Sequence, residues 1–270
     1  MKAAVSYPEN ILPITYFGQE SMHIAHSGMQ ILVDPYLSDY VDQNCCSENV
    51  IWKRRYPAPV KAEELTEIDV VLCTHSHYDH ADPITLAALA KSSSKAVFIV
   101  PAPIVDTVAS YGVEKSRIIG AYADKPLSVG ALTVSPFPAA HEELSPDENG
   151  NYACLSYKLE IGGFTLFHAG DCLVYEGLIE RLGKVDVMML PVNGRSYFKR
   201  YRDDIIGNMT AYEAADLAQT VGAKLLIPMH FDLYDVNCVA TSGVVDAIEA
   251  TAPKLTYHIF KPGARYLFEK

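Results

Sequence analysis

The segment Thr74-His75-Ser76-His77-Tyr78-Asp79-His80-Ala81-Asp82 constrains this chain more than any other stretch of it. Three imidazoles and a carboxylate fall within six consecutive positions, 75–80. These are donors that divalent first-row metals prefer. The apolar run at 68–73 just before them reads as a buried strand. Asp82 followed by Pro83 reads as a helix N-cap with proline at the first helical position. The donors therefore occupy a loop between a strand end and a helix start, held at both ends by rigid elements, where catalytic metal sites are commonly built. His75 and His77 suffice for one ion. Adding Asp79 and His80 argues for two, since four donors so close in sequence do not easily converge on one. A surface histidine cluster without function is the bland alternative, and the flanking strand and cap signals speak against it.

Charge narrows the partners. The 270 residues carry a formal charge of −11, which disfavours a general nucleic-acid-binding surface. No apolar run approaches the length of a membrane span. The start, Met1 to Pro8, lacks the apolar stretch of a secretion signal and reads as a frayed end. The six cysteines form no CxxC pair, so a thiolate zinc knuckle is not expected, and Cys45-Cys46 cannot readily bridge each other. Cys73 and Cys154 read as core residues, and Cys172 as a packing residue beside Asp171. This usage fits a reducing cytoplasm.

No repeat or low-complexity linker divides the chain, and one domain spanning 1–270 is expected. Strands are predicted at 14–17, 21–25 and 30–33, with Gly18 and Ser27-Gly28 as turns and Asp34-Pro35 ending the third. A long polar connection follows at 37–67, of the kind that is usually functional. From residue 68 the pattern alternates: strand 68–73, helix 83–90, strand 96–100, and helix 103–111 closed by Gly112. Strands at 132–137, 152–161 and 164–167 follow, the last two joined by Gly162-Gly163. Then come helix 176–182, strand 185–190, helix 211–221 with a Thr210/Glu213 capping box, strand 224–227, helix 243–250, and strands 256–260 and 264–268. Hairpins in front and βα alternation behind predict an α/β fold, a four-layer αββα sandwich with helices outside two packed sheets.

Further metal donors stand at strand ends: His141 after 132–140, Asp171 after 164–170, and His230 after 225–229. Each alone would read as a satisfied structural polar group, and it is the shared context that makes them candidates. His23, His26 and His258 lie in or beside strands and receive no role.

The order His75-x-His77-x-Asp79-His80, His141, Gly170-Asp171 and His230 resembles the metallo-β-lactamase superfamily over nearly the whole chain. Pro191-Val192-Asn193-Gly194-Arg195, Gly207-Asn208-Met209-Thr210 and Pro228-Met229-His230-Phe231-Asp232 are similar to its lactonase group, typified by L-ascorbate-6-phosphate lactonase. The resemblance implies two divalent metal ions. His75, His77 and His141 would hold one, Asp79, His80 and His230 the other, with Asp171 bridging. The donors suit manganese, zinc or iron; the lactonase likeness favours manganese, with zinc close behind.

The expected reaction is hydrolysis of a carboxylic ester, a lactone above all, by a hydroxide shared between the ions. Asp79 would accept a proton from water, and His168 is a second catalytic candidate, weighed against a packed, backbone-bonded strand histidine. Four cations fall in 195–202, and Asn193, Arg195 and Tyr197 are the expected grip on an anionic or polyol part of a small-molecule substrate. A solvated loop neutralised in part by Asp203 and Asp204 is the alternative. Two rival functions remain: a phosphodiesterase of the same fold, of phospholipase D or cyclic-nucleotide type, and a non-catalytic metal or ligand sensor. Homo-oligomers are plausible by likeness to the lactonases. The 40–59 loop, with Trp52, is expected to cover the site or to meet another subunit.

Overall fold

Val70, Val71 and Leu72, with Cys73 directly after them, are apolar without interruption because their strand is covered on both faces. Val70 and Leu72 point into the core between the two sheets, while Val71 and Cys73 point toward helices on the outside. That alternation recurs through the molecule and defines its layers. The computed structural model describes residues 7–270, so the reading of the N-terminal start lies outside the described residues except for Tyr7 and Pro8.

One sheet has seven strands, in the order β13-β1-β2-β3-β4-β5-β6. They are β1 (Ile11–Gly18), β2 (Ser21–His26), β3 (Met29–Val33), β4 (Val70–Leu72), β5 (Val97–Pro101), β6 (Ile118–Ala121) and β13 (Arg265–Glu269). The other has six, in the order β12-β11-β10-β9-β8-β7: β7 (Leu127–Val129), β8 (Leu132–Pro138), β9 (Leu155–Ile161), β10 (Phe164–His168), β11 (Val187–Pro191) and β12 (Leu225–Met229). Helices α1 (Tyr40–Asn44), α2 (Pro83–Ser92), α3 (Val105–Ser110), α4 (Leu178–Leu182), α5 (Tyr197–Tyr201), α6 (Ala211–Val221) and α7 (Thr241–Thr251) fill the connections.

Three apolar layers bind these parts. Leu12, Ile24, Val70, Leu159, Leu166 and Ile227 meet between the sheets. Leu86, Leu89 and Val108, from α2 and α3, cover Val71 and Phe98 on the seven-stranded sheet. Leu178, Leu217 and Ile248, from α4, α6 and α7, cover Phe167, Met188 and Leu226 on the other. The result is the expected αββα sandwich. Helix α6 begins and ends where the sequence placed it, with Thr210 and Glu213 closing the capping box and Gly222 in the left-handed conformation after it.

The expected strand at 256–260 is not formed. That segment makes a single bridge, Tyr257 to Leu226, before Phe260 turns into the inter-sheet core and packs on Tyr16. Strands β6 and β7 escaped the sequence reading. Each is an edge strand of three or four residues with a mostly half-exposed face, so it lacks the apolar run of a central strand. Among the described residues, no helix is long and apolar enough to cross a membrane.

Candidate metal centre

Strands β3, β4 and β5 run parallel, as do β10, β11 and β12, so their C-terminal ends gather on one rim. The loop after β4 brings His75, His77, Asp79 and His80 there. His141 follows β8, Asp171 follows β10, and His230 follows β12. Gly170, at φ +59°, lets the β10 end press against β4: a Cβ on it would stand 2.7 Å from Thr74 Cβ.

All seven expected donors converge, in two groups. One atom each from His75, His77, His141 and Asp171 lie within 4.8 Å of one another, and so do atoms from Asp79, His80 and His230. Asp171 faces both. Its Oδ2 is 4.0 Å from His75 Nε2 and 3.8 Å from His141 Nε2, while its Oδ1 is 3.6 Å from His80 Nε2 and 3.1 Å from His230 Nε2. Buried Nε2 atoms of His75, His80 and His141 have no hydrogen-bond partner among the described residues. Buried polar atoms normally have partners. Unpaired nitrogens converging with carboxylate oxygens are what a cation-binding set leaves when no cation is counted, and the donors suit a divalent metal.

Groups that the sequence reading did not assign hold this set in place. Asp34, at the end of β3, accepts from Thr74 N at 2.7 Å, Thr74 Oγ1 at 2.7 Å and His80 Nδ1 at 2.8 Å. It thereby directs His80 Nε2 toward Asp79 and Asp171. Asn208 Nδ2 donates to Asp171 Oδ1 at 2.8 Å. The β1–β2 turn contributes Gln19, whose Nε2 donates to Asp79 Oδ2 at 2.7 Å and lies 3.1 Å from His230 Nε2. Glu20 beside it is wholly buried, and neither of its carboxyl oxygens has a hydrogen-bond partner among the described residues. A carboxylate closing a core strand and a polar pair in a turn between apolar strands were the available signals. Both Gln19 and His230 adopt positive φ, a strained choice for such residues that clusters at functional sites.

The electrostatics divide the donors. Burial, joined by repulsion from His80, His77 and His141, pushes His75 well below the usual histidine pKa. Burial likewise takes His141 down to about 4. Burial also opposes charge on His230, but Asp171, Asp79 and Glu20 outweigh it and raise that histidine to about 9. His80 is held well above its ordinary value against its burial by Asp79, Asp171 and Asp34. Without cations, then, positive charge gathers on the Asp79 side of Asp171.

The donors form one wall of a cavity of about 320 Å³. His77, Asp79, His141, Asp171 and His230 face Val41, Cys45 and Trp52 of the long 37–67 connection, with Tyr78, Asp204, Ile205, Ile206 and Asn237 completing the lining. The long connection therefore covers the site, and Trp52 packs edge-on against Tyr234, with ring centroids 5.2 Å apart. A larger surface groove of about 690 Å³ beside α2 lies away from every metal donor.

The remaining expected residues stand elsewhere. His168 is fully buried, its Nε2 donating to Glu20 O at 2.9 Å and its Nδ1 accepting from Gly170 N. Both nitrogens are committed to backbone, so it takes the packed structural place instead of a catalytic one. Arg195 forks onto Glu213 at 2.6 and 2.7 Å, and so faces α6 instead of the cavity. Tyr197 is 71% exposed on α5. Asn193 is buried behind the wall, donating to Asn237 Oδ1 at 3.0 Å. Proximity in sequence to a cationic run did not reveal that the arginines already had carboxylate partners.

A family model described as the β-lactamase superfamily domain matches residues 29–231. The chain belongs to the metallo-β-lactamase superfamily. The match runs from the start of β3 to just past His230 and includes all seven donors and the four strands they follow, β4, β8, β10 and β12. A UPF0173 metal-dependent hydrolase of Rubrobacter xylanophilus is 27% identical over 93% of this chain and 94% of its own. Among solved structures, a possible metal-dependent hydrolase from Veillonella parvula superposes with a TM-score of 0.75 at 15% identity, covering 95% of this chain and 99% of that one. The metallo-β-lactamase fold protein YhfI from Bacillus subtilis gives 0.69 at 15% identity, over 95% and 99%.

Proposed function

We infer that this protein is a metal-dependent hydrolase that uses two divalent ions, manganese or zinc with iron also compatible, to open a small carboxylic ester, a lactone in particular. The observation that carries the reading is Asp171, whose two oxygens address two separate groups of histidines. His75, His77 and His141 would hold one ion and Asp79, His80 and His230 the other, with Asp171 between them. Charge supports bound cations. Glu20, Asp34, Asp79 and Asp171 crowd the floor of the site, and among the described residues no lysine or arginine lies within 4.0 Å of them. Uncompensated buried carboxylates are costly. Divalent cations would offset that charge, which falls on the three aspartates because burial raises the Glu20 carboxyl well above the usual carboxylate range. The name of the Rubrobacter relative agrees with this chemistry.

When bound, the ions would supply Lewis acidity, making a water acidic near neutral pH and drawing electrons from the ester carbonyl. The chain does the rest. Asp79 lines the cavity with one oxygen held by Gln19, and we assign it the proton released there. Asn208 and Asp34 fix the orientations of Asp171 and His80. Trp52, Val41 and Cys45 limit the space above the donors.

The test is elemental analysis of the purified protein with a substrate panel of lactones and phosphodiesters. Near two metal equivalents and lactone turnover support the reading, and turnover of phosphodiesters alone moves the chemistry to phosphorus. His77→Ala should lose metal and activity together. Full turnover by metal-free His77→Ala protein would exclude the mechanism.

A further inference from the structure

The segment after β11 carries four cations, and three of them are spoken for. Arg195 engages Glu213, Arg200 engages Glu142 and, at 2.8 Å, Asp204, and Arg202 engages Asp203 at 2.7 Å. Lys199 differs. Its Nζ donates to Asn193 O at 2.8 Å and to Asn237 Oδ1 at 3.1 Å, and among the described residues no carboxylate lies within 4.0 Å of it. The side chain is half-buried, and burial lowers its pKa. A partly desolvated, unpaired ammonium beside a cavity is a costly arrangement unless something of opposite charge arrives.

Lys199 also settles the orientation of its neighbour. An ammonium only donates, so the Asn237 atom it touches must be the amide oxygen. Asn193 meets that same oxygen at 3.0 Å and must present its NH₂ there. The Asn237 NH₂ group then points away from both, and it has no hydrogen-bond partner among the described residues. Asn237 lines the cavity that holds His77, Asp79 and His230. Its two free N–H donors therefore belong to that cavity wall, with the Lys199 charge directly behind their amide. Among the described residues, the one charged side chain of the lining that is not a metal donor, Asp204, is tied to Arg200.

We propose that Asn237, aimed by Lys199, binds a carboxylate carried by the substrate, so that the cavity selects small lactones or esters bearing that group. This rests on the hydrolase reading for the reaction, and on the wall geometry for the specificity. A cavity of about 320 Å³ sits at the lower end of ligand pockets, which span roughly 300–1,000 Å³, and suits a substrate of that size. The anion grip expected from Arg195 is thus supplied by Asn237, with Lys199, four residues after Arg195, behind it.

The experiment uses metal-loaded protein and two probes. Succinate binding is followed by calorimetry, and KM is measured for γ-butyrolactone and for its γ-carboxylate derivative. Lys199→Met and Asn237→Ala should each weaken succinate by about tenfold or more, the scale of one charge-assisted hydrogen bond. Both should collapse the KM preference for the carboxylated lactone, and Lys199→Arg should restore most of it. Should Lys199→Met not fold, Asn237→Asp asks the same question with opposite charge and must abolish succinate binding. Equal succinate affinity in wild type and variants, no binding to wild type, or an unchanged KM ratio overturns the proposal. If neither lactone turns over while succinate binding still depends on Lys199, the hydrolase reading fails and this one stands.

Discussion

Asp34→Asn changes one atom and should disable a metal donor more than 2.7 Å away from it. The Asp34 carboxylate accepts three hydrogen bonds, of 2.7, 2.7 and 2.8 Å, from Thr74 N, Thr74 Oγ1 and His80 Nδ1. In the amide variant the retained oxygen can stay on Thr74 N, and the Thr74 hydroxyl can rotate to accept. His80 has no such freedom. Facing an NH₂ donor, its Nδ1 must present a lone pair, which moves the ring proton to Nε2. That nitrogen faces Asp79 and Asp171 at 3.7 and 3.6 Å and is the one a cation would use. Disturbing such an orienting group typically costs about 10–100-fold in metal affinity, or roughly 1.4–2.7 kcal/mol. Weakening three charge-assisted bonds to neutral ones costs about 1 kcal/mol each in addition, some 3 kcal/mol of fold stability. Chelator competition would read the affinity, and long-range proton–nitrogen NMR would report the tautomer of His80. Wild-type affinity with the proton still on Nδ1 would refute the argument.

The other predictions concern charge. Arg195→Ala should leave the KM for both lactones where it was, since the guanidinium is engaged by Glu213, and should cost under about 1 kcal/mol because the pair is well exposed to solvent. Arg195 holds Glu213 at about 2, below its ordinary 4.5, so the pair's support is present above pH 4.5 and fades as pH falls through 2. Urea unfolding of the two proteins should therefore differ at pH 5 and converge near pH 2. In the chelated protein the sign reverses. His230 is raised from 6.5 to about 9, so its contribution is complete below pH 6.5 and is lost as pH rises through 9. Thermal scans should show the chelated form losing stability over that window. A metal-loaded protein losing as much would show that the histidine nitrogens are not the metal donors.

Periodicity made the central strands legible. The run at 70–73 and helix α6 could be placed from sequence because each satisfies local and tertiary demands at once: an apolar stretch in a doubly covered strand, and caps at both ends of an amphipathic helix. Strands β6 and β7 could not. They exist because a neighbour offers them an edge, and their own residues carry little sign of it. The segment at 256–260 failed the other way. Its alternating apolar residues imitate a strand, but Phe260 is drawn into the gap beside Tyr16 and the pairing stops after one bridge.

The metal donors were legible for a different reason. A histidine at the end of a core strand has few structural uses, so residue type and position together reveal it. The groups that orient those donors give no such sign, because Asp34 reads as a strand terminator and Gln19 as one more polar turn residue. What distinguishes them is which hydrogen-bond partners tertiary structure leaves unfilled. Arg195 and Lys199 make the point within five residues of one another. By composition the arginine is the better anion ligand, yet α6 had already placed Glu213 against it, while the lysine was left facing only amide oxygens. Specificity in this cavity should therefore follow the unpaired donor instead of the stronger one. The same logic selects Glu20: a fully buried carboxyl with no hydrogen-bond partner among the described residues, beneath a set of unpartnered histidine nitrogens, fits a floor that cations would complete.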